Sequence, residues 1–142
     1  MQKKKCSCID KYIALKDIVT LLANAKEPYD AMDARYIQSM IIPPIELNQF
    51  KIFYRDKRPV GYTTWGFFNK ETEKKLTDNE EYLTKNDWNS GDNLWLINVL
   101  CPMGGGSVVL RRLDKLRKEM GLSKRVNFKR LGSNRVSNVK RI

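Results

Sequence analysis

The sequence predicts an α/β (α+β) fold: a single domain with one twisted mixed sheet flanked by helices. Three observations predict it. Apolar residues recur at three- and four-residue spacing near the N-terminus. Two short runs in the middle of the chain alternate apolar and polar residues. The most apolar run, LWLINVL at 94–100, leads into a glycine-rich loop and then a second amphipathic stretch. Helical and strand periods interleaved in this way call for a sheet with helices packed on it. At 142 residues the chain is long enough to bury a core without disulfides or metal.

The first helix is expected from Asp10, which can cap it, with Leu15, Ile18, Val19, Leu22 and Ala25 forming its apolar face. Pro28 follows it. A second helix is expected over about 31–41, with Met32, Tyr36 and Met40 on one side and Pro43-Pro44 as its stop. A hairpin comes next: QFKIFYR at 49–55, DKRP at 56–59 as the turn, and VGYTTWGFF at 60–68 as the return strand. Asn69 reads as the cap of a short charged helix over 70–76. The polar stretch 77–92 reads as a loop with one helical turn started by Thr84. The run 94–100 is short, β-rich and bounded by turn residues, which makes it a central strand. A helix over about 107–120 follows, its apolar side made by Val108, Leu110, Leu113, Leu116 and Met120 and its end by Gly121. KRVNFKRL at 124–131 alternates again and reads as a late strand. Residues 1–9 are expected as a basic mobile lead-in, 10–131 as the domain and 132–142 as a basic tail.

Composition narrows the function. The net charge is +11, and twelve Lys and Arg against two Asp and Glu fall in 111–142. A nearly neutral body therefore carries a strongly basic C-terminal quarter, which suits an anionic partner such as nucleic acid, an acidic protein or a phosphate-bearing group. Lys124, Arg125, Lys129, Arg130 and Arg135 are the candidate basic patch. The three cysteines follow no disulfide framework, and no apolar run reaches the length of a membrane span. The basic start lacks a following apolar segment, so a cytoplasmic protein is expected. Histidine is absent and the acidic residues show no metal-loop spacing, so no metal is expected.

Chemistry concentrates at 94–112. Glycines between a buried strand and a helix allow close backbone approach to a ligand, and the free amides and dipole of a helix start favour an anion. Leu100, Cys101, Gly104, Gly105, Gly106, Ser107, Arg111 and Arg112 are the candidate cofactor-binding residues. The pattern matches neither a phosphate-binding loop ending in Gly-Lys-Ser/Thr nor a G-x-G-x-x-G, so a plain tight turn remains the alternative.

Four segments carry a resemblance: 49–55, PVGYTTW at 59–65, DWNSGDNLWL at 87–96, and Pro102-Met103-Gly104. In order and spacing they resemble the toxin-activating lysine acyltransferases, and Asp87-Trp88-x-Ser90-Gly91-Asp92-x-x-Trp95 is the most distinctive part. The resemblance covers about residues 28–120. It implies a GNAT-like fold and transfer of a fatty acyl chain from a thioester, on acyl carrier protein or coenzyme A, to a protein lysine, with no permanently bound cofactor. It also implies that 94–100 hydrogen-bonds the pantetheine arm and that the basic quarter faces the acidic carrier protein.

The family's catalytic pair is a histidine and an aspartate. Their positions fall at Asp30 and Asn98 here. Lysine attacks a thioester as the neutral amine, a step that histidine suits and that an exposed aspartate, with a pKa near ~3.9, serves weakly. Three expectations therefore compete. One is an acyltransferase in which Asp30 is a replacement base and Asn98 a polar positioner. Another is a fold that still binds an acyl or phosphate-bearing ligand but catalyses little. The third is a catalytically degenerate binding or inhibitory protein, of phage or mobile-element type, gripping nucleic acid or an acidic host protein. Pairing with a second copy as a homodimer stays open.

Overall fold

The computed structural model describes residues 8–24, 34–78, 83–102, 106–119, 121, 126–129 and 136–139, with 106–110, 116 and the last two strands described by their backbone only. Helix α1 (Cys8–Ala23) begins inside the expected lead-in and places Asp10 in its first turn, where a carboxylate favours the helix dipole. Its buried residues are Ala14, Asp17, Ile18, Leu21 and Leu22. The expected face is thus rotated: Leu15 is half-buried and Val19 is exposed. The cause is that α1 also carries Ile9, Tyr12, Ile13 and Val19, so apolar residues occur all round it and period alone does not choose the side that meets the sheet.

Helix α2 (Ala34–Tyr36) runs through a π-helical turn (Ile37–Ile41) into α3 (Ile42–Glu46). Pro43 and Pro44, expected to stop a helix, instead open α3, because first-turn N–H groups have no helical partner to lose. Asn48, at φ 58°, ends it in the left-handed region, and the Gln49 N–H returns to the Pro44 carbonyl at 2.7 Å.

Strands β1 (Phe50–Arg55) and β2 (Arg58–Phe68) form the expected hairpin, but its loop is two residues, Asp56 and Lys57, at φ 50° and 65°. Two positive φ values are what a type I′ turn requires to match strand twist. Helix α4 (Lys70–Asp78) is capped as expected, with the Asn69 Oδ1 accepting from the Thr72 N–H at 2.8 Å. A 3₁₀ turn (Lys85–Trp88) precedes β3 (Asn93–Leu100), and α5 (Gly106–Glu119) connects β3 to β4 (Val126–Lys129). Residues 136–139, expected within a basic tail, form a fifth strand, β5 (Val136–Val139).

The sheet has the order β1-β2-β3-β4-β5, antiparallel except for the parallel β3–β4 pair that α5 joins. A helix is the usual crossover between parallel neighbours. On one face α1 and α3 pack over β1, β2 and the end of β3, through Ile18, Leu21, Leu22, Ile41, Ile45, Ile52, Tyr62 and Leu100. Beside this layer Met40, Phe68, Trp88, Trp95 and Ile97 form a second cluster, and Tyr36 packs against both. On the opposite face Leu113 of α5 meets Phe53, Leu94 and Leu96.

Candidate active site at the bulge of β3

Strand β3 changes partners midway. On the β2 side the register runs Thr64↔Asn98 and then Trp65↔Leu96, so Ile97 has no opposite residue and forms a bulge. On the β4 side only Trp95↔Asn127 and Leu96↔Phe128 pair, and among the described residues nothing on β4 pairs with Asn98–Leu100. Among the described residues the parallel ladder thus reaches only to the residue before the bulge. Over Asn98–Leu100 the backbone groups that alternate away from β2 have no ladder partner among the described residues.

The bulge also sets the side chains. Ile97 packs with Met40, Trp88 and Trp95, and the next residue, Asn98, donates from Nδ2 to the Tyr36 Oη at 3.5 Å. Two consecutive residues thus face the α2 layer, which regular alternation forbids. Asn98 is 2% exposed, and its Oδ1 has no hydrogen-bond partner among the described residues. Its cross-strand neighbour Thr64 is fully buried, with its Oγ1 likewise unpartnered among the described residues. Exchanging the amide atoms of Asn98 only moves the orphan to Nδ2. Buried polar atoms are satisfied in the great majority of cases, so a pair of orphans on facing residues marks this spot.

Of the sequence-predicted residues, Leu100 is buried in the α1 layer, and Cys101 is half-buried on the α5 face. Burial pushes the Cys101 thiol above its ordinary pKa. A Cβ added at Gly61 would stand 2.8 Å from Cys101 Sγ, so a glycine on β2 is what lets that side chain lie there. Gly106 and Ser107 start α5, as expected of the loop-to-helix junction. Arg111 is exposed. Arg112 lines a groove of about 300 Å³ with Lys51, Phe53, Leu113, Lys115 and Glu119, against β1 and two strands away from β3. Asp30, Gly104, Gly105, Lys124, Arg125, Arg130 and Arg135 lie outside the described residues, and Lys129 is described by its backbone in β4. Sequence reasoning missed Tyr36 and Thr64 as site residues. The available signals were a lone amide inside LWLINVL and adjacent threonines in a buried strand.

The distinctive segment 87–95 serves as scaffold. The Asp87 carboxylate accepts from the Thr84 N–H at 2.9 Å and pairs with Lys75 of α4 at 3.2 Å. Burial raises its pKa, but the Thr84 and Lys75 hydrogen bonds outweigh that and hold it below the usual carboxylate range. Trp88 is fully buried edge-on against Phe68, its Nε1–H reaching the Ser39 carbonyl at 3.3 Å in the π-helical turn. The Ser90 Oγ accepts from the Asn69 N–H at 3.1 Å, and the Ser90 and Gly91 amides both donate to the Phe67 carbonyl. The Trp95 Nε1–H and Asn93 Nδ2 share the Glu73 carboxylate of α4. Gln49 Nε2 donates to the carbonyls of Trp65 and Trp88. These bonds clamp the turn, α4 and β2 together and so hold β3 and its bulge beneath Tyr36.

The sequence profile of the RTX toxin acyltransferase family matches residues 8–142. The chain belongs to that family. Its relatives include the protein-lysine myristoyltransferase RtxC of Kingella kingae, 32% identical over 76% of this chain and 64% of the relative. Others are the RTX-I toxin-activating lysine-acyltransferase ApxIC of Actinobacillus pleuropneumoniae (32%, over 61% of this chain and 51% of the relative) and the protein-lysine myristoyltransferase HlyC of Escherichia coli (32%, over 53% and 44%). The chain thus spans about two thirds or less of the length of these relatives. The loading GNAT-like domain of CurA from Lyngbya majuscula superimposes with a TM-score of 0.56 at 17% identity, covering 82% of this chain and 59% of that one. The fold is GNAT-like.

Among the described residues no group of three metal-ligating side chains comes together, and no helix is long and apolar enough to cross a membrane.

Proposed function

We propose that this member of the RTX toxin acyltransferase family moves a fatty acyl group from a thioester, carried by acyl carrier protein or coenzyme A, to a lysine side chain of a protein. The observation that carries this reading is the bulge at Ile97, which sinks the amide of Asn98 into the sheet with its Oδ1 unpartnered among the described residues. The side of β3 at Asn98–Leu100, unpaired among the described residues, suits an extended thioester arm laid beside it as a further strand-like partner. Asn98 Oδ1 then accepts an N–H of the incoming lysine amine. Being neutral, it orients the amine without favouring the ammonium form that a carboxylate would hold.

The reaction is direct. Asp30 takes the proton released by the lysine ammonium, the Nζ lone pair attacks the thioester carbonyl carbon, a C–N bond forms and the C–S bond breaks. The departing thiolate takes the second amine proton. Cys101 is unsuited to carry an acyl intermediate, because its thiol is raised in pKa and faces α5. Holding amine and thioester together provides most of such a rate enhancement, and a base typically adds about 10²–10⁴-fold. That leaves room for activity without histidine.

The test is incubation with acyl carrier protein and coenzyme A thioesters and lysine-bearing acceptor proteins, read by intact mass. The expected result is a mass increase of one acyl group per modified lysine, reduced at least tenfold by Asp30→Asn. No transfer, together with no thermal shift by either thioester, overturns the proposal.

A further inference from the structure

Two adjacent threonines lie in the middle of β2, and packing alone does not account for the second. Thr64 is 0% exposed, and its Oγ1 has no hydrogen-bond partner among the described residues. Valine has nearly the same shape without the polar atom, so a threonine that only filled space would cost the fold an unsatisfied hydroxyl. The register sets Thr64 directly opposite Asn98. Residues opposite one another in an antiparallel pair share a face, with Cβ atoms about 4.5–5.5 Å apart. β2 keeps its alternation here: Tyr62, on the same face as Thr64, belongs to the α1 cluster, and Phe68 to the Trp88 cluster. Thr64 and Asn98 therefore form a polar pair between two apolar clusters, and Tyr36 packs against both clusters above it.

The donors and acceptors of the pair decide what it can hold. Asn98 Oδ1 only accepts and has two lone pairs; the Thr64 hydroxyl donates one hydrogen bond and also accepts. A neutral primary amine brings two N–H groups and a lone pair. With the Thr64 Oγ–H turned to Asn98 Oδ1, that oxygen takes one amine N–H and Thr64 Oγ1 takes the other. Both N–H bonds are then held and the lone pair points away from the pair. An ammonium ion fits worse, because the pair is neutral and offers its third N–H no acceptor. We propose that Thr64 is the second half of the seat for the acceptor lysine: its Oγ1 takes the amine N–H that Asn98 leaves and turns the Nζ lone pair to the thioester carbonyl carbon. The inference rests on the acyl-transfer reading and adds a residue that touches the substrate. Tyr36 closes the seat. Its Oη meets Asn98 Nδ2 at 3.5 Å, the outer limit of a hydrogen bond, and a π-helical turn follows it, an irregularity that recurs at functional sites. The lysine enters as that contact opens.

The experiment measures thermal melts and acyl transfer by intact mass, with the thioester and acceptor protein that the wild type uses, for Thr64→Val, Thr64→Ser and Asn98→Leu/Thr64→Val. Thr64→Val is expected to lower kcat/KM for the acceptor about tenfold to a hundredfold, because one amine N–H is left buried without a partner. Its melting point is expected to equal or exceed that of the wild type, since the unpaired hydroxyl is gone. Thr64→Ser keeps the hydroxyl and is expected to recover kcat/KM to within about fivefold of the wild type. The double variant is expected to lose less than the product of the two single losses, because both residues hold one amine. Unchanged transfer by Thr64→Val overturns the proposal while the acyl-transfer reading stands; if its melting point falls as well, the pair belongs to a buried water. Thr64→Ser as weak as Thr64→Val overturns it too, as do losses that multiply. A wild type that transfers nothing overturns the acyl-transfer reading and this inference with it.

Discussion

Replacing Asn98 by leucine separates what the site does for the fold from what it does for chemistry. The two side chains have the same number of heavy atoms and both branch at Cγ, leucine being the bulkier. In the wild type, Oδ1 is buried with no partner among the described residues, a situation that costs about 1–3 kcal/mol, while the 3.5 Å contact from Nδ2 to Tyr36 Oη is too long to return more than a fraction of that. Leucine removes the orphan and adds apolar burial beside Ile97. The expected result is a gain of about 1–2 kcal/mol, read as a melting point higher by roughly 3–8 °C in a domain of this size. Acyl transfer by the same variant is expected to fall at least tenfold, because the amine loses its acceptor. Thermal denaturation and the intact-mass assay on one preparation give both readouts. A loss of stability above about 1 kcal/mol would refute the reasoning, since it would mean that the lost amide contacts and the bulk of leucine outweigh the orphan atom. Unchanged transfer would remove Asn98 from the mechanism.

Gly91→Ala should destabilise by about 2–3 kcal/mol in urea unfolding, because its Cβ would lie 2.5 Å from the Asn69 nitrogen and 2.6 Å from the Phe68 carbonyl, both backbone atoms that cannot swing away. Asp87→Asn should cost about 1 kcal/mol at neutral pH. The folded-state pKa of Asp87 is depressed, so its contribution is present above the unfolded value near ~3.9 and is lost as pH falls through the folded value; the gap between wild type and variant should close in acid. Lys57→Gly should stabilise the hairpin by about 0.5–1 kcal/mol, as φ 65° strains a residue with a Cβ, and a lower denaturation midpoint would count against the type I′ turn.

Much of the fold was legible because local rules and tertiary packing agree. The alternation in 49–55 and 60–68, the Asn69 cap and the apolar run at 94–100 each became the expected element. Disagreement came where packing had to choose between options that local rules leave equal. Pro43-Pro44 can stop one helix or open another, and here the pair opens α3 directly after the π-helical turn. α1 offered apolar residues all round, and the sheet took the Ala14–Ile18–Leu22 side. The residues 136–139 have little strand character of their own and are strand because β4 lies beside them.

The candidate site divides in the same way. The sequence by itself determined the lineage, through the segment that holds Asp87, Trp88, Ser90, Gly91 and Trp95, and it set the expectation that the catalytic positions fall at Asp30 and Asn98. It did not determine that those distinctive residues are scaffold, that Arg112 turns towards β1, or that Asn98 lies buried across from Thr64 beneath Tyr36. Those facts depend on the strand register, and on a single bulged residue, Ile97, that puts two consecutive side chains on one face. Register is decided by which partners pair across the sheet, a relation between segments distant in the chain, and so only the tertiary structure holds it.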